Sequence, residues 1–449
     1  RMDPKRLHIL ESMPVPKAIL ALALPTVLSM VVQIFYNLTD TFFIGKLNDP
    51  YQVAAVTIAM PVTMFQMAVA GIFGNGGASY LSRLLGQKKF STAREAASSS
   101  LFGCILISLV VGIWGYFSSS ELVRMIGASA NSAGFASAYI NIILLGSPIV
   151  MLNFAMTQLL RAEGAANQAM IGLLIGTGVN IVLDPLFIFG FNMGVSGAAL
   201  ATVIGNACGM MWYIRYYLQG KSAVAPGLEA VKLHWETYKQ ILFIGIPASL
   251  GQITASLGSS VSYNLASYYG DYHVAALGVA MRVFTIPIFI FLGIAIGIQP
   301  LVGFNFGARN YSRMKETIRK SLVISASLAI LGILLLTFFP GQLMLLFIKD
   351  QLVVSIGTMV LLAYVFAIPF ASVGMIFMTT LQSMGKALPA LIVAVSRQGI
   401  VYLPALYLLN KIHGFEGLVL ALPVADALTT CCSFCFVWLI FTKLRKTVV

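Results

Sequence analysis

Three carboxylates stand in stretches of this sequence that are otherwise apolar. Asp40, Asp184 and Asp426 each have such surroundings, as in the segment VNIVLDPLFIFG around Asp184. A carboxylate at the depth of a bilayer core costs a few kcal/mol or more, so residues of this kind commonly hold protons, ions or substrates. Their types and settings indicate proton or cation binding, provided that the surrounding elements cross a membrane and bring them together.

Polar residues recur at helical spacing around two of these acids. Asn180 and Asp184 are four residues apart and therefore share one face of a helix. Thr202 and Asn206 have the same spacing. A polar stripe at i, i+3, i+4 and i+7 is formed by Gln33, Tyr36, Asn37 and Asp40. Pro185 follows Asp184 directly and removes one helical N–H, which frees a carbonyl to line a cavity or coordinate a cation.

Composition identifies the elements that must position these residues. The chain is 59% hydrophobic and only 10% charged, whereas a soluble domain has about 25% charged residues. A helix needs about 20 apolar residues to cross a bilayer. The apolar runs between residues 17 and 442 predict twelve such helices, including single spans near 132–160 and 352–382. The sequence therefore predicts an all-α polytopic membrane protein.

The net charge of +13 is distributed very unevenly over the loops. Most Lys and Arg residues fall on the side of the two termini, and six do not: Lys46, Arg124, Lys349 and Lys411 on the opposite side, and Arg282 and Arg397 within spans. Excess positive charge marks the cytoplasmic side. We therefore expect both termini in the cytoplasm of a multi-pass cell membrane protein, with basic loops that touch lipid headgroups. Nothing here indicates nucleic acid or an obligate protein partner.

Depth along the helices brings the polar groups of the N-terminal half to one level. At about 1.5 Å per residue, Asp40 and Asp184 lie roughly 34 and 26 Å from the cytoplasmic ends of their spans, and Ala198 and Thr202 lie roughly 6–12 Å from the outer end of theirs. Two nearby carboxyls in a low dielectric cannot both be charged cheaply. Such a pair is suited to hold a proton or a small cation. The alternative is a pair of neutral, hydrogen-bonded carboxyls that only hold helices together.

The sequence also repeats itself. LGQKKFSTAREAASSSL at 85–101 aligns with FGARNYSRMKETIRKSL at 306–322, an offset of 221, and GVSGAALA at 194–201 aligns with GFEGLVLA at 414–421. We predict a six-helix N-terminal lobe over 1–218, a cytoplasmic linker over 219–234 and a C-terminal lobe over 235–449. Two such bundles around a central cavity suit alternating access.

At these residues the sequence resembles the multidrug and toxic compound extrusion (MATE) family over essentially its whole length. The resemblance is carried by PTVLSMVVQIFYNLTDTFFIGKL, by NIVLDPLFIFGFNMGVSGAALAT and by the paired GQKK and GARN loops. Members of this family are twelve-helix antiporters with two six-helix lobes, which expel organic cations and other drugs against H⁺ or Na⁺. The resemblance implies small organic substrates and no cofactor other than the coupling ion.

The resemblance also implies roles for individual residues. It implies a proton or Na⁺ site formed by Asp40, Asn180, Asp184 and Thr202, with Ala198 contributing backbone and Asn37 nearby. It further implies that Pro25 marks a bend in the first helix that responds to protonation. The drug cavity is expected to be lined by Gln33, Tyr36, Asn153 and Asn206. One branch of the family has a functional Glu in the seventh span, but here that span reads IPASLGQITASLGSSVSYNLAS, without an acid, so the match is closer to the branch with acids in the N-terminal lobe.

The sequence leaves open the role of Asp426 and two alternative functions for the protein. Asp426 either binds a cationic substrate or pairs with Arg397 in the neighbouring span, and pairing is slightly favoured. A lipid-linked saccharide flippase would share the frame but needs a cluster of cations in its cavity. An intramembrane enzyme needs paired catalytic motifs, and the sequence has no HExxH, GxSxG or Walker-type motif. We therefore predict a transporter, not an enzyme.

Overall fold

The computed structural model describes residues 4–47, 49–125, 130–222 and 224–447, and all regular elements within them are helical. The N-terminal half contains α1 (Pro4–Glu11), α2 (Val15–Gly45), α3 (Pro50–Gly86), α4 (Phe90–Phe117), α5 (Ser119–Met125), α6 (Ala133–Leu145), α7 (Ser147–Ala162), α8 (Ala166–Pro185) and α9 (Val195–Leu218). The C-terminal half contains α10 (Trp235–Ser267), α11 (Asp271–Gly307), α12 (Tyr311–Phe338), α13 (Pro340–Leu345), α14 (Gln351–Tyr364), α15 (Ile368–Ser383), α16 (Ala387–Val395) and α17 (Tyr402–Thr447). Two π-helical turns, Leu186–Gly190 and Ser396–Ile400, extend α8 and α16.

The described helices provide the predicted number of spans. Nine are long and apolar enough to cross a membrane, and two bent pairs raise the number to eleven. One of the nine, Ala387–Leu444, is 58 residues long, several times the roughly 20 residues that one crossing needs. Its backbone breaks at Gly414, where φ is +62°, so this segment supplies two spans. The prediction of an all-α polytopic protein with twelve spans is confirmed.

Two spans differ from their prediction as single helices. The segment near 132–160 is a pair, α6 and α7, bent by 54°, and the segment near 352–382 is a pair, α14 and α15, bent by 52°. In each pair the second helix has proline in its first turn, Pro148 and Pro369. Proline has no N–H to donate to the preceding turn, so it favours a new helix over a continuous one.

The two halves repeat each other in helix length and in turn geometry. α3 and α11 are both 37 residues long, and α4 and α12 are both 28 residues long. The left-handed residues Lys88 (φ 59°) and Arg309 (φ 58°) occupy equivalent turns, as do Gly194 (φ 56°) and Gly414 (φ 62°). The repeat read from the sequence is therefore also present in the backbone.

Glycines bring the two lobes together at the end of the molecule where the termini lie and further along the same helices. A side chain at Gly245 of α10 would overlap the Ile72 carbonyl of α3, and one at Gly86 of α3 would overlap the Phe304 carbonyl of α11. The Gly86 contact lies at the end of α3 that adjoins a basic turn, whereas the Gly245 contact lies about 15 Å along α10 from its basic end. The lobes are thus packed backbone against backbone from the basic side toward the middle of the helices.

The short helix α1 connects both lobes on that side. Arg6 lies 3.4 Å from Glu163, in the turn between α7 and α8. Arg313 at the start of α12 donates to the carbonyls of Ile9 and Leu10 at 3.1 and 3.2 Å. Burial raises the pKa of Glu163 to about 7, although Ser222 and Arg6 lower it. A titratable carboxyl therefore lies where α1, the N-terminal lobe and the linker meet.

Candidate functional site

Asp184 is the most unusual polar residue of the N-terminal lobe. It is fully buried, and neither carboxylate oxygen has a hydrogen-bond partner among the described residues. Asn180 lies one turn earlier on α8, is also buried, and its side-chain oxygen has no partner in the same part of the chain. An unpaired buried carboxylate is costly as a bare anion, so it is stable as the neutral acid or beside a cation.

Thr202 of α9 connects the polar residues of three helices. Its hydroxyl lies 3.3 Å from the Tyr36 hydroxyl of α2 and accepts from the Asn180 amide of α8 at 3.4 Å. Ala198, one turn from Thr202 on α9, is buried. The helices approach closely here because Gly205 of α9 lies against α8, where a side chain would contact the Asn180 Cβ at 3.0 Å. Small residues of α9 therefore let the polar groups meet.

The first span contributes Tyr36 and Asp40 to this site. Asp40 is partly buried and lies close enough to Asp184 and Tyr36 for electrostatic interaction. Asn37, on the same predicted stripe, is exposed, and its side-chain oxygen accepts from Gln33 at 3.3 Å. The stripe is thus divided: Tyr36 and Asp40 lie at the site with Asp184, whereas Gln33 and Asn37 bond to each other along α2.

A local irregularity of α8 follows Asp184. The helix passes through Pro185 into a π-helical turn, in which the Phe191 N–H donates to the Leu186 carbonyl at 2.9 Å. The π turn lies tightly against α9, since a side chain at Gly197 would come within 2.7 Å of the Phe187 backbone. Single π turns within α-helices frequently occur at functional sites.

A pair of asparagines lies next to the acid site. The Asn153 amide of α7 donates to the Asn206 side-chain oxygen at 2.9 Å, and the Asn206 amide donates to the Thr202 carbonyl at 2.8 Å. The Asn153 oxygen has no partner among the described residues. The side-chain oxygen of Asn153 is therefore available to accept a hydrogen bond, close to the turn of α9 that contains Thr202.

Tyr139 of α6 is a neighbour of the site that the sequence analysis did not identify. It is 8% exposed and lies within electrostatic range of Asp40, Tyr36 and Asp184. A single tyrosine in an apolar span has no polar periodicity to reveal it. Only the packing of α6 against α9 and α3 places it beside the acids.

The structure leaves some predicted roles untested. Pro25 lies within α2, which continues without a break from Val15 to Gly45, so its role in a protonation-dependent bend stays a prediction. The same holds for Gln33, Tyr36, Asn153 and Asn206 as residues of a drug cavity.

Asp426 in the C-terminal lobe has a different environment from Asp184. It is 1% exposed and accepts two hydrogen bonds from Arg397, at 2.7 and 3.4 Å. Arg397 lies in the π-helical turn Ser396–Ile400. The pairing favoured from the sequence is therefore the arrangement in this structure.

The donor set of the N-terminal site suits a proton or a hard monovalent cation. Its oxygens come from Asp40, Asp184, Asn180 and Thr202, with the π turn beside them. Within the described residues no group of three or more His, Cys, Asp or Glu side chains is placed to hold a metal ion. Carboxylate, amide and hydroxyl oxygens are the ligands that hard cations prefer.

A family model, curated proteins and solved structures all show similarity between this chain and multidrug transporters. A family model described as MatE matches residues 25–186 and again residues 247–408. The chain is 31% identical over 444 residues to the multidrug export protein MepA of Staphylococcus aureus (strain MRSA252). This alignment covers 99% of this chain and 98% of that protein. It is 29% identical over 445 residues to the MepA protein of Staphylococcus saprophyticus subsp. saprophyticus, with coverage of 99% and 98%.

Among solved structures, the chain is similar to the outward-facing conformation of a multidrug resistance MATE family transporter of the MOP superfamily. The TM-score is 0.94 at 25% sequence identity, with 99% of this chain and 100% of that chain covered. The family model is thus matched once in each half, and the relatives are matched over nearly their full length.

Proposed function

The chain belongs to the MatE family of transporters, and we propose that it is a secondary active antiporter that exports lipophilic, often cationic, organic compounds in exchange for H⁺. Its curated relatives are named multidrug export proteins, which supports drugs and similar toxic compounds as the substrate class. The coupling ion enters and leaves through the Asp40–Asp184 site. Na⁺ is the alternative ion for the same oxygens.

One observation carries this proposal. Asp184 is fully buried, and no described residue donates to either of its oxygens. A carboxyl that served only to join helices would be expected to have hydrogen-bond partners, since most buried polar groups have them. Asp184 instead has free acceptors next to Asn180, Thr202 and Asp40, which suits a group that alternately takes up and releases a cation.

The proposed cycle uses these contacts in order. With the site open to the outside, Asp184 or Asp40 takes up H⁺, which neutralises the carboxyl and weakens the attraction for a cationic substrate. The change reaches α2 through Tyr36, which shares Thr202 with Asn180. Substrate then leaves to the outside. After the lobes open on the basic side, the proton leaves to the cytoplasm and a new substrate enters.

The membrane potential and a pH gradient of about one unit, which adds about 1.4 kcal/mol per proton, together supply enough free energy to export an uncharged substrate. One proton moving inward carries about 2.3 kcal/mol per 100 mV of membrane potential, and a 100-fold gradient of a neutral compound needs about 2.7 kcal/mol. Exchange of one monovalent cation for one proton moves no net charge. Such an exchange would draw on the pH gradient alone.

The proposed orientation places both termini and the basic turns in the cytoplasm. It rests on the excess of Lys and Arg on that side of the spans. The protein would then lie in the cell membrane, where an exported compound leaves the cell.

The flippase alternative is less well supported by the residues present. A pyrophosphate-linked lipid needs several cations in the cavity. The site described in the N-terminal lobe is lined by two carboxylates, and Arg397 in the other lobe is already paired with Asp426. An enzymatic activity has no supporting group of catalytic residues in the sequence.

The test is transport of a cationic dye such as ethidium into proteoliposomes, driven by either an imposed pH gradient or an imposed Na⁺ gradient. Wild type is compared with Asp184→Asn, and with Asp350→Asn as a matched control. Asp350 caps α14 with its side chain, and asparagine caps helices equally well, so this control makes the same chemical change outside the site.

We expect the pH gradient to drive transport in wild type and the control, and transport by Asp184→Asn to fall to background. Transport driven by the Na⁺ gradient alone, and lost in Asp184→Asn, would support the proposed site but with Na⁺ as the coupling ion. Equal coupled transport by Asp184→Asn and wild type would overturn the proposal.

A further inference from the structure

A groove lies on the outer surface of the C-terminal lobe, between α12, α15 and α17. Its volume is about 230 Å³. Lys315 and Arg319 line it from the first turns of α12, one helical turn apart. The groove therefore begins beside the basic turns and runs toward the interior of the bilayer.

The rest of the groove is apolar and largely aromatic. Phe434, Trp438 and Phe441 lie on one face of α17, and Phe377 of α15 lies against Phe434 with ring centroids 5.9 Å apart. Phe434 and Trp438 are 54% and 56% exposed. From Lys315 to Leu322 the groove follows α12 for roughly 10 Å, which is the distance from headgroup level into the acyl chains.

The two cations have no ion-pair partner in the part of the chain that the structure describes. No described carboxylate lies within ion-pair distance of Lys315 or Arg319. The nearest acid in sequence, Glu316, is 2.7 Å from Lys320 instead. Lys315 lies over the Phe441 ring at 5.3 Å, which holds its ammonium group at the groove without cancelling its charge.

The N-terminal lobe shows what occupies the equivalent position there. At the repeat offset of 221 residues, Arg94 of α4 is equivalent to Lys315. Arg94 donates to the Glu229 carboxylate at 2.5 Å and to the Ala225 carbonyl at 3.0 Å. Both acceptors belong to the linker between the lobes. The linker thus supplies an anion that none of the described residues supplies to Lys315.

We propose that the groove binds an anionic glycerophospholipid from the leaflet on the side of the termini. Its phosphate lies between Lys315 and Arg319, and one acyl chain follows the aromatic face of α17. Trp438 lies beside it, as tryptophan commonly does at the membrane interface. The bound phosphate has in this lobe the role that Glu229 has in the other. Basic pockets between membrane helices bind anionic headgroups in this way.

The test measures lipid binding to the purified full-length protein by native mass spectrometry, with dioctanoyl phosphatidylglycerol and dioctanoyl phosphatidylcholine as probes. The variant is Lys315→Gln/Arg319→Gln. The matched control is Lys88→Gln/Lys89→Gln, which removes two exposed charges from a turn of the other lobe. A second variant, Lys315→Arg/Arg319→Lys, keeps the charges.

We expect wild type to bind phosphatidylglycerol about 10- to 30-fold more tightly than phosphatidylcholine, as two basic residues near an anionic headgroup would give. The Gln variant should lose this preference, while the control and the charge-keeping variant retain it. Equal affinity for both lipids in wild type would overturn the proposal. So would an unchanged preference in the Gln variant, or an equal loss in the control. None of these outcomes depends on the coupling ion.

Discussion

Arg397 binds Asp426 through two hydrogen bonds, of 2.7 and 3.4 Å, inside the C-terminal lobe. In the N-terminal lobe the fully buried Asp184 has no such partner among the described residues. The two lobes have the same arrangement of helices, but their buried acids have different partners. The counter-charge of Asp426 is a side chain of the protein, Arg397, whereas the counter-charge of Asp184 is the exchangeable ion that we propose.

The buried pair predicts an asymmetric response to mutation. Asp426→Ala should lower the free energy of unfolding by about 3–5 kcal/mol, because it leaves the Arg397 guanidinium without its counter-charge. Arg397→Met/Asp426→Leu should recover most of this loss, since neither charge is then stranded. Thermal unfolding in detergent measures both. A double variant as unstable as Asp426→Ala would contradict the interpretation.

Thr202 is expected to matter for coupling more than for stability. Thr202→Val keeps the shape of the side chain but removes the hydroxyl shared by Tyr36 and Asn180. Proton-driven dye transport should fall several-fold, while stability falls by about 1 kcal/mol per hydrogen bond lost. Thr202→Ser restores the hydroxyl and should restore transport. Comparable transport by the Val and Ser variants would show that the hydroxyl has no part in coupling.

The packing of the lobes depends on Gly245. Gly245→Ala would place a methyl group against the Ile72 carbonyl, so the contact between α3 and α10 must open. We expect a lower melting temperature, with a loss of about 1–3 kcal/mol as for other overpacked sites. Gly178→Ala is the control, because no atom lies within 4 Å of the added methyl group. Equal melting temperatures for the two variants would show that the lobes adjust at no cost.

The raised pKa of Glu163 predicts that the stability of the protein depends on pH. Its pKa is raised from 4.5 to about 7 in the folded protein, so the folded state retains a proton that the unfolded state loses. The contribution to stability is fully present below about pH 4.5 and is lost as the pH rises through 7. The change is about 3.5 kcal/mol at most, at about 1.4 kcal/mol per pKa unit.

Glu163→Gln should therefore gain stability relative to wild type between pH 5 and pH 8. Melting temperatures of both proteins across that range provide the measurement, and Glu236→Gln, at an exposed site, is a control for the loss of a carboxylate. A difference between variant and wild type that is independent of pH would show that Glu163 does not titrate in this range.

Much of the candidate site was accessible from spacing alone. Asn180 and Asp184 share one face of α8, and both are buried, as the i, i+4 relation indicates. The stripe on α2 was only partly informative, because Asn37 is exposed and bonded to Gln33. Helical periodicity tells which residues share a face but not which neighbour that face meets. Tyr139 was missed for the same reason, since its proximity to the acids depends on another helix.

The sequence by itself determined the membrane class, the twelve spans and the duplicated frame. Hydropathy and helical periodicity are local properties, and repeats are visible at a fixed offset. Only the tertiary structure decided that Thr202 joins Tyr36 to Asn180, that Asp426 is paired while Asp184 has no partner among the described residues, and that the linker covers Arg94. These contacts join segments far apart in the chain. They depend on how closely helices approach, which is set by small residues such as Gly205 and Gly245.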